Sequence, residues 1–356
     1  MTIPDISIGN RIVGDDSPAL VIAEIGLAHD GSLGSAHAFI DAASAAGADA
    51  VKFQTHIANA ESTPFEEFRV KVFPQDVTRF DYWERTSFSE SQWRELKEHA
   101  ENKKLIFMST PFSIAAIKLL RRIGVKVWKI GSGDVNNLPL LEEISKGVEP
   151  VLLSSGMSYM HEIAESVNFL RKTLTPVMVM QCTSSYPCPP EKYGLNLIGE
   201  FRDEFRVHIG FSDHSGEIAP GLAAVAMGAK VVEVHVTWSK DCFGPDIKSS
   251  LTFKQLAELV KGVRLIGTAM KTYLIKDEVA QDMSEMRMLF TKGLYAVEPI
   301  VANTVLEKHH FETRKPLLGI PASKYLDVLG KVLTRDLSAG EPIAWKDLIG
   351  HEEKKI

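Results

Sequence analysis

Short apolar runs alternate with longer amphipathic segments along most of the chain. After a predicted hairpin around residues 6–13, eight runs rich in Val, Ile and Leu predict buried strands, at residues 20–24, 50–54, 105–109, 127–130, 151–154, 177–181, 207–212 and 231–235. The segments between them predict helices, for example at residues 35–46, 89–102, 113–123, 138–146, 161–174, 217–227 and 253–273. This alternation is typical of βα units that build a parallel sheet.

Eight strand–helix repeats predict an α/β fold of the TIM (β/α)8 barrel type over residues 1–273. A doubly wound open sheet would usually carry a glycine-rich dinucleotide loop after its first strand, and the loop IGLAHDGSLG lacks that spacing. Residues 274–292 are charged and Met-rich, which predicts a linker. Short β runs broken by Gly and Pro then predict a small separate domain at residues 293–356.

Composition narrows the choice of partners. Hydrophobic residues make up 45% of the 356 residues, which is enough for a buried core and excludes disorder of the whole chain. With 40 basic and 46 acidic residues the net charge is −6, which argues against a nucleic-acid-binding surface. Three cysteines without a CxxC pair, no signal-like start and no long apolar run predict a cytoplasmic protein with no membrane partner. We therefore expect a small-molecule partner.

Polar residues stand at the carboxyl end of every predicted strand, the face that carries the active site in TIM barrels. Two of them, Lys52 and Lys129, interrupt apolar runs, where a buried lysine needs an anionic partner. Together with nearby hydroxyls and loop amides they predict a basic pocket for a small anion, most simply a phosphorylated substrate. The hydroxyls concerned, each of which could instead cap a helix, are Thr110, Ser132, Ser154 and Ser212.

His214 and His235 end two neighbouring predicted strands, so both imidazoles could face one metal ion. Two imidazoles with oxygen ligands suit Mn, Fe, Co or Zn, whereas Mg more often selects oxygens alone. Two satisfied core histidines are the alternative. The other histidines show no partner spacing and are interpreted as surface or structural residues.

Two carboxylates and two cysteines allow further interpretations. Glu24 ends an apolar strand and could transfer protons or accept hydrogen bonds from sugar hydroxyl groups. Asp246 could do the same, but it could equally be a turn residue after Gly244. No neighbouring basic residue is evident for Cys182 or Cys188, so both are interpreted as wall or core residues. The long insertion that contains FEEFRVKVF and ERTSF predicts either a lid or a surface loop.

The strand-end motifs, taken in order, resemble those of the sialic acid synthase family, the N-acetylneuraminate synthases with their legionaminic, pseudaminic and spore-coat relatives. The motifs are AEIGLAHDGS, AGADAVKFQT, STPFS, WKIGSGD, LLSSGMS, QCTSSYP, GFSDHS, VEVHVT and GPDIKSSL. The segment TRKPLLGIPASKYLDVLGKVLTRDLSAGEPI is similar to the small antifreeze-like (SAF) domain that follows the barrel in this family. The resemblance covers nearly the whole chain.

The resemblance implies that phosphoenolpyruvate condenses with the open-chain aldehyde of an N-acyl hexosamine, of the N-acetylmannosamine type, to give a nine-carbon 2-keto-3-deoxy acid and phosphate. The implied catalytic residues are Glu24, Lys52, Lys129 and Asp246, with Glu24 handling protons. The implied substrate-binding residues are Gln54, Thr110, Phe112, Ser132, Ser154, Ser184, Tyr186, Ser212, Phe290, Lys292, Arg314 and Lys315. Of these, Lys52, Thr110 and Lys129 would hold the carboxylate, and Ser132, Ser154 and Ser212 the phosphate.

The family resemblance also implies a divalent metal on His214 and His235, expected to be Mn(II) with Mg(II) or Co(II) as alternatives. It further implies a homodimer in which the C-terminal domain of one subunit completes the site of the other. Either Arg314 or Lys315 would reach that site, although lysine lacks the bidentate geometry of arginine.

Departures from the family pattern leave the acceptor sugar undetermined. Ser184 stands where Asn is common, and in EVHVT the residues Val234 and Val236 replace a lysine and an aromatic residue. Two other functions fit part of the evidence. One is a different phosphoenolpyruvate-dependent synthase, of the 3-deoxy-octulosonate or 3-deoxy-heptulosonate phosphate type, which lacks the small tail domain. The other is a non-enzymatic sugar-binding scaffold.

Overall fold

The computed structural model describes residues 3–68 and 75–350 of the chain. It divides into two compact units, Met1–Thr272 and Tyr273–Ile356, and each is described by itself. Within the described residues, no helix is long and apolar enough to cross a membrane.

The first unit is a closed parallel barrel. An antiparallel hairpin, β1 (Ile6–Ile8) with β2 (Arg11–Val13), precedes it. The barrel strands are β3 (Leu20–Gly26), β4 (Ala50–Thr55), β5 (Ile106–Pro111), β6 (Trp128–Ile130), β7 (Val151–Ser154), β8 (Val177–Cys182), β9 (Ile209–Asp213) and β10 (Val231–Thr237). Each strand pairs in parallel with the next, and β10 pairs with β3 to close the ring. A short strand, β11 (Leu251–Thr252), extends β10. The predicted TIM barrel is confirmed.

Helices alternate with the strands of the barrel. They are α1 (Leu33–Ala45), α2 (Ala58–Glu61), α3 (Arg79–Thr86), α4 (Glu90–Asn102), α5 (Ile114–Ile123), α6 (Leu138–Ile144), α7 (Met160–Lys172), α8 (Leu197–Phe205), α9 (Ala219–Ala226) and α10 (Phe253–Lys271). Local sequence sets their ends. The Ser113 side chain accepts a hydrogen bond from the Ala116 N–H to start α5, and Gly124 ends it in the left-handed region at φ 80°.

The amino end of the barrel is sealed by apolar side chains. Ile6, Ile8 and Val13 of the hairpin pack into the same buried cluster as Leu20 and Ile22 inside the barrel. Nearby, Asp49 accepts hydrogen bonds from Arg11 at 2.8 Å and from Arg264 at 2.6 Å, which ties the hairpin and α10 to the barrel. Because this end is closed, the polar interior of the barrel is reached from the carboxyl ends of the strands.

The second unit begins with two short helices, α11 (Lys276–Asp282) and α12 (Ser284–Phe290), within the segment predicted as a linker. A two-stranded antiparallel sheet follows, β12 (Gly293–Ala296) with β13 (Phe311–Arg314), and then α13 (Tyr325–Val328). Its own core contains Leu294, Ile300, Leu306, Ile320 and Ile343 among other buried residues. Small β segments around a separate core are what the sequence pattern predicted for this region.

Candidate active site

A cavity of about 580 Å³ lies at the carboxyl ends of the barrel strands. Every site residue predicted within the barrel lines it: Glu24, Lys52, Gln54, Thr110, Phe112, Lys129, Ser132, Ser154, Ser184, Tyr186, Ser212, His214, His235 and Asp246. The parallel register explains why residues so far apart in sequence meet, since neighbouring strands bring Glu24 level with Lys52 and with His235. The structure therefore places these residues together, while their individual roles stay predictions.

The floor of the cavity carries a buried ion pair. Lys52 Nζ lies 2.8 Å from Glu24 Oε2 and donates a 3.1 Å hydrogen bond to Thr110 Oγ1. Burial, reinforced by the charge of Glu233, raises the pKa of Glu24 to about 7 in spite of the nearby lysine. Glu24 can therefore exchange a proton near neutral pH. Burial works against the charged form of Lys52 as well, but the carboxylates of Glu233 and Glu24 outweigh it and raise the pKa of Lys52.

Glu233 links the two predicted lysines. Its Oε1 atom lies 3.6 Å from Lys52 Nζ and 3.5 Å from Lys129 Nζ, and it accepts a 3.1 Å hydrogen bond from Ser212. Although burial opposes ionisation, the two lysines lower the pKa of Glu233 to about 2. The expected basic pocket is therefore wrong in detail, because two buried carboxylates accompany the two lysines.

A hydroxyl-lined recess adjoins Lys129, which donates a 2.6 Å hydrogen bond to the Ser154 hydroxyl. Across the recess, the Gly156 N–H donates to Ser132 Oγ at 3.1 Å. A Cβ on Gly156 would collide with both Ser184 Oγ and Ser132 Oγ, so only glycine leaves the recess open. Donors of this kind around a lysine can bind the oxygens of a phosphate group.

The two histidines lie side by side, with 5.4 Å between ring centroids. His214 Nδ1 is 2.9 Å from the Thr183 carbonyl oxygen and Nε2 is 3.1 Å from the Tyr186 hydroxyl, so in the neutral imidazole the proton lies on Nδ1 and the lone pair on Nε2. Burial opposes the charged form, but Cys182 and the Thr183 carbonyl outweigh it and raise the pKa of His214. His235 Nδ1 is 3.9 Å from Asp246 Oδ2, and burial lowers the pKa of His235 to about 4, so its imidazole is neutral.

The two imidazoles fit a divalent transition metal, because imidazole nitrogen is a ligand that such ions accept, and binding would displace any proton from His214. Across residues 3–68 and 75–350, no three His, Cys, Asp or Glu side chains are grouped closely enough to hold an ion by themselves. His214 and His235 could therefore supply two ligands, with oxygens of water or substrate completing the set.

Cys182 does have a basic neighbour, contrary to the expectation from the sequence. Its Sγ lies 3.8 Å from His214 Nδ1 and 3.7 Å from Ser132 Oγ. Burial raises the pKa of the Cys182 thiol, but His214 and Lys129 outweigh burial and the net shift is downward. These neighbours come from other strands, so the local sequence gave no signal of them.

The outer part of the cavity contains residues that the sequence interpretation missed. His56 was grouped with histidines lacking a partner, yet its Nδ1 lies 2.5 Å from Glu61 Oε1. Its ring stacks between Trp83 and Phe112, with centroid distances of 3.7 and 4.3 Å. Residues 69–74 of the long insertion fall outside the described part of the chain. Farther along the insertion, α3 lines the cavity with Arg79, Tyr82 and Trp83. The prediction of a lid stays a prediction.

Comparison with known families decides between the possible functions. A model described as the NeuB family matches residues 39–274, and a SAF domain model matches residues 291–349. The chain belongs to the NeuB family. As a NeuB-family synthase it is a transferase that condenses phosphoenolpyruvate with a sugar to form a nonulosonic acid. The SAF match also argues against the octulosonate and heptulosonate phosphate synthases, which lack such a tail.

Relatives of this chain are named for different products. The chain is 34% identical over 330 residues to N,N'-diacetyllegionaminic acid synthase of Campylobacter jejuni, covering 91% of this chain and 98% of the relative. It is 37% identical over 360 residues to human N-acetylneuraminate-9-phosphate synthase, covering 97% of each. A crystal structure of N-acetylneuraminic acid synthetase from Leptospira borgpetersenii, in complex with citrate, is similar with a TM-score of 0.71 and 32% identity, over 80% of this chain and 96% of that one.

The remaining predicted site residues, Phe290, Lys292, Arg314 and Lys315, belong to the second unit. Lys315 Nζ lies 5.0 Å above the ring of Phe290, a cation–π contact that brings two of them together. Arg314 Nε donates a 2.6 Å hydrogen bond to Glu312 Oε1. Their contact with an aldose stays a prediction that follows from the NeuB resemblance.

Proposed function

We propose that this NeuB-family chain condenses phosphoenolpyruvate with an N-acyl aldose of the N-acetylmannosamine type. The product would be a nine-carbon 2-keto-3-deoxy acid of the sialic acid class, released with inorganic phosphate. The observation that carries the proposal is the floor of the cavity, where Lys52 and Lys129 flank Glu233 beside a hydroxyl-lined recess.

The floor offers phosphoenolpyruvate two anion-binding positions. Lys52, Thr110 and Lys129 would hold the carboxylate, and the recess formed by Ser132, Ser154, Ser212 and the Gly156 loop would hold the phosphate. Lysine supplies charge while hydroxyl and amide donors supply direction, so the two anionic ends of the small substrate are recognised differently. Two different positions would set which end of phosphoenolpyruvate lies against the lysines and which against the hydroxyls.

In the proposed reaction, C3 of phosphoenolpyruvate attacks the aldehyde carbon and forms the new C–C bond, and the aldehyde oxygen takes up a proton. Water adds at C2 and loses a proton, and the resulting tetrahedral intermediate expels phosphate by cleavage of the C2–O bond. Glu24, whose pKa of about 7 lets it hold or release a proton near neutrality, would move a proton at these steps. Gln54, which donates a 3.2 Å hydrogen bond to Glu24 Oε1, keeps the carboxyl group oriented.

A divalent metal, Mn(II) with Mg(II) or Co(II) as alternatives, would be held by His214 and His235 and would supply Lewis-acid polarisation of the aldehyde oxygen when bound. The Thr183 carbonyl keeps His214 in the tautomer that presents Nε2. Asp246, near His235, and Tyr186, stacked on His214 at 4.1 Å, would orient the aldose. In a homodimer, the second unit of one subunit would complete the site of the other through Arg314 or Lys315.

The test is a phosphate-release assay with phosphoenolpyruvate and N-acetylmannosamine or a diacetamido-trideoxy aldose, with and without Mn(II). We expect phosphate and a 2-keto-3-deoxy acid in equal amounts, dependent on both aldose and metal. Phosphoenolpyruvate carrying ¹⁸O in the C2–O bridge should deliver its label to phosphate, because the C–O bond breaks. Label kept in the acid would contradict this mechanism, and no phosphate with any aldose would favour a sugar-binding scaffold.

A further inference from the structure

A line of polar side chains runs from the floor of the cavity toward its mouth along β4. Lys52, Gln54 and His56 alternate along the chain and all line the cavity. At about 3.3 Å per residue, His56 stands roughly 13 Å farther along the strand direction than Lys52. His56 Nε2 is 3.4 Å from Gln54 Oε1, so the line is continuous. If phosphoenolpyruvate occupies the floor and the aldose extends along this line, the far end of the aldose lies nearest His56.

The end of this line is a stacked, partly buried assembly that we call the outer wall, made of His56, Glu61, Trp83 and Phe112. The His56 ring is nearly parallel to both aromatic rings, with interplanar angles of 4° to Trp83 and 10° to Phe112. The side chains of His56 and Glu61 are only 4% and 7% exposed. The Ile57 N–H donates to Glu61 Oε2 at 3.3 Å, which fixes the carboxylate that holds His56.

Among the described residues of one subunit, the charged side chains that line the cavity near the outer wall are mostly acidic. Glu61, Glu66 and Asp134 line this part of the cavity, and burial together with the charge of Glu61 raises the pKa of Asp134. Arg79 is the nearby cation among the lining residues that the structure describes, and it already pairs with Glu66 at 3.0 Å while covering the Trp83 ring at 4.9 Å. A phosphate group needs cationic or N–H donors, and buried carboxylates repel it. Carboxylates and aromatic faces instead suit hydroxyl groups and the apolar faces of a sugar chain.

We infer that the outer wall selects an aldose with an uncharged far end, so that the acceptor is an unphosphorylated N-acyl aldose. The inference rests on the proposed function and goes beyond membership of the NeuB family, because the relatives include one named for a 9-phosphate product and others named for products without phosphate. His56 and Glu61 are then specificity-determining residues that act on the acceptor and not on phosphoenolpyruvate.

The experiment compares N-acetylmannosamine with N-acetylmannosamine 6-phosphate on the full chain, with phosphoenolpyruvate and Mn(II), by initial rates of phosphate release. We expect kcat/KM for the unphosphorylated aldose to exceed that for its 6-phosphate by about 100-fold. Equal rates, or a preference for the 6-phosphate, would overturn the inference while leaving the proposed function intact. Release of no phosphate with either sugar or with any other aldose of a panel would refute the proposed function, and the inference with it.

One variant and a matched control test whether the outer wall causes the selectivity between the two acceptors. Glu61→Gln keeps a hydrogen-bonding partner for His56 but removes the negative charge, so the preference should fall by about 10-fold through the KM of the 6-phosphate acceptor. The KM for phosphoenolpyruvate should not change, which a general loss of structure would not reproduce. Glu101→Gln is the matched control, because Glu101 pairs with Lys97 at 2.7 Å on the surface of α4. An unchanged ratio of kcat/KM values in Glu61→Gln would contradict the assignment.

Discussion

Lys52 Nζ and Glu24 Oε2 lie 2.8 Å apart on neighbouring strands, with side chains that are only 3% and 1% exposed. Removing the lysine leaves Glu24 beside the second buried carboxylate, Glu233, without its counter-ion. We predict that Lys52→Met lowers the free energy of unfolding by about 3 kcal/mol, measured by urea denaturation. Adding Glu24→Gln should recover part of that loss, although both variants lose activity. A double variant no more stable than Lys52→Met would contradict the pairing.

Removal of either predicted metal ligand should abolish metal-dependent turnover. We expect His214→Ala and His235→Ala to lose Mn(II) binding, measured by calorimetry, and to keep the circular dichroism spectrum of the wild type. His37→Ala is the control, because His37 pairs with Glu95 at 2.9 Å on the surface. Unchanged Mn(II) affinity in both single variants would contradict the assignment of the ligands.

Gly156→Ala should weaken phosphoenolpyruvate binding. The added methyl group would occupy the hydroxyl-lined recess, against Ser132 Oγ and Ser184 Oγ, so we expect KM for phosphoenolpyruvate to rise at least about 10-fold. Gly267→Ala is the matched control, since nothing lies within 4 Å of a Cβ at that position in α10. Alanine there should leave KM unchanged and stabilise the helix by about 1 kcal/mol. Equal KM values in the two variants would argue against phosphate binding in the recess.

The stability of the barrel should depend on pH through buried neutral histidines. Burial lowers the pKa of His29 to about 3, from an ordinary value near 6.5. Between these values the unfolded chain binds one more proton at this site than the folded chain. Stability from this group is therefore present above pH 6.5 and falls as the pH is lowered, by about 1.4 kcal/mol per pH unit.

The measurement for His29 is urea denaturation at several values between pH 5 and pH 7.5. His29→Gln can still accept the hydrogen bond that His29 Nδ1 takes from the Gly31 N–H at 3.1 Å, but it cannot titrate. We expect the slope of unfolding free energy against pH to be shallower in the variant than in the wild type. Parallel slopes would show that His29 takes up its proton in the folded state.

If each active site is completed by the partner subunit, two variants that are inactive alone should regain activity when they are mixed. We predict that Lys52→Ala and a variant with both Arg314→Ala and Lys315→Ala are each inactive alone. In a mixed dimer one of the two sites would combine an intact barrel with an intact second unit, so random mixing should restore about a quarter of wild-type activity. No activity in verified mixed dimers would show that the second unit does not complete the partner's site.

The sequence predicted the barrel because each strand has an apolar run that can be recognised without knowledge of the rest of the fold. β7 begins and ends where its apolar run does, at Val151–Ser154, since burial on both faces demands an unbroken apolar segment. β3 and β10 continue two residues beyond their predicted ends, to Gly26 and Thr237, because Gly26 pairs with Phe53 of β4 and the end of β10 pairs with β11. These pairings depend on distant segments and are not visible in the local side-chain pattern.

The position and lining residues of the cavity could be predicted from the sequence, but most of the contacts between its side chains could not. Strand-end polar residues must share one rim of a barrel, so its lining followed from the fold. The position of Glu233 between two lysines and the sulfur of Cys182 beside His214 depend on strands far apart in sequence. The stacking of His56 on Trp83 depends on the path of a long insertion, which no local pattern specifies.

The floor of the cavity contains equal numbers of acidic and basic side chains. With Glu24 and Glu233 beside Lys52 and Lys129, its formal charges cancel when all four groups are ionised, so a trianion arrives without a net attractive charge. Because Glu24 titrates near pH 7, protonating it is the way the floor acquires positive charge. If phosphoenolpyruvate binds to this floor as proposed, its capture is coupled to proton uptake, and we expect its affinity to decrease as the solution becomes more alkaline.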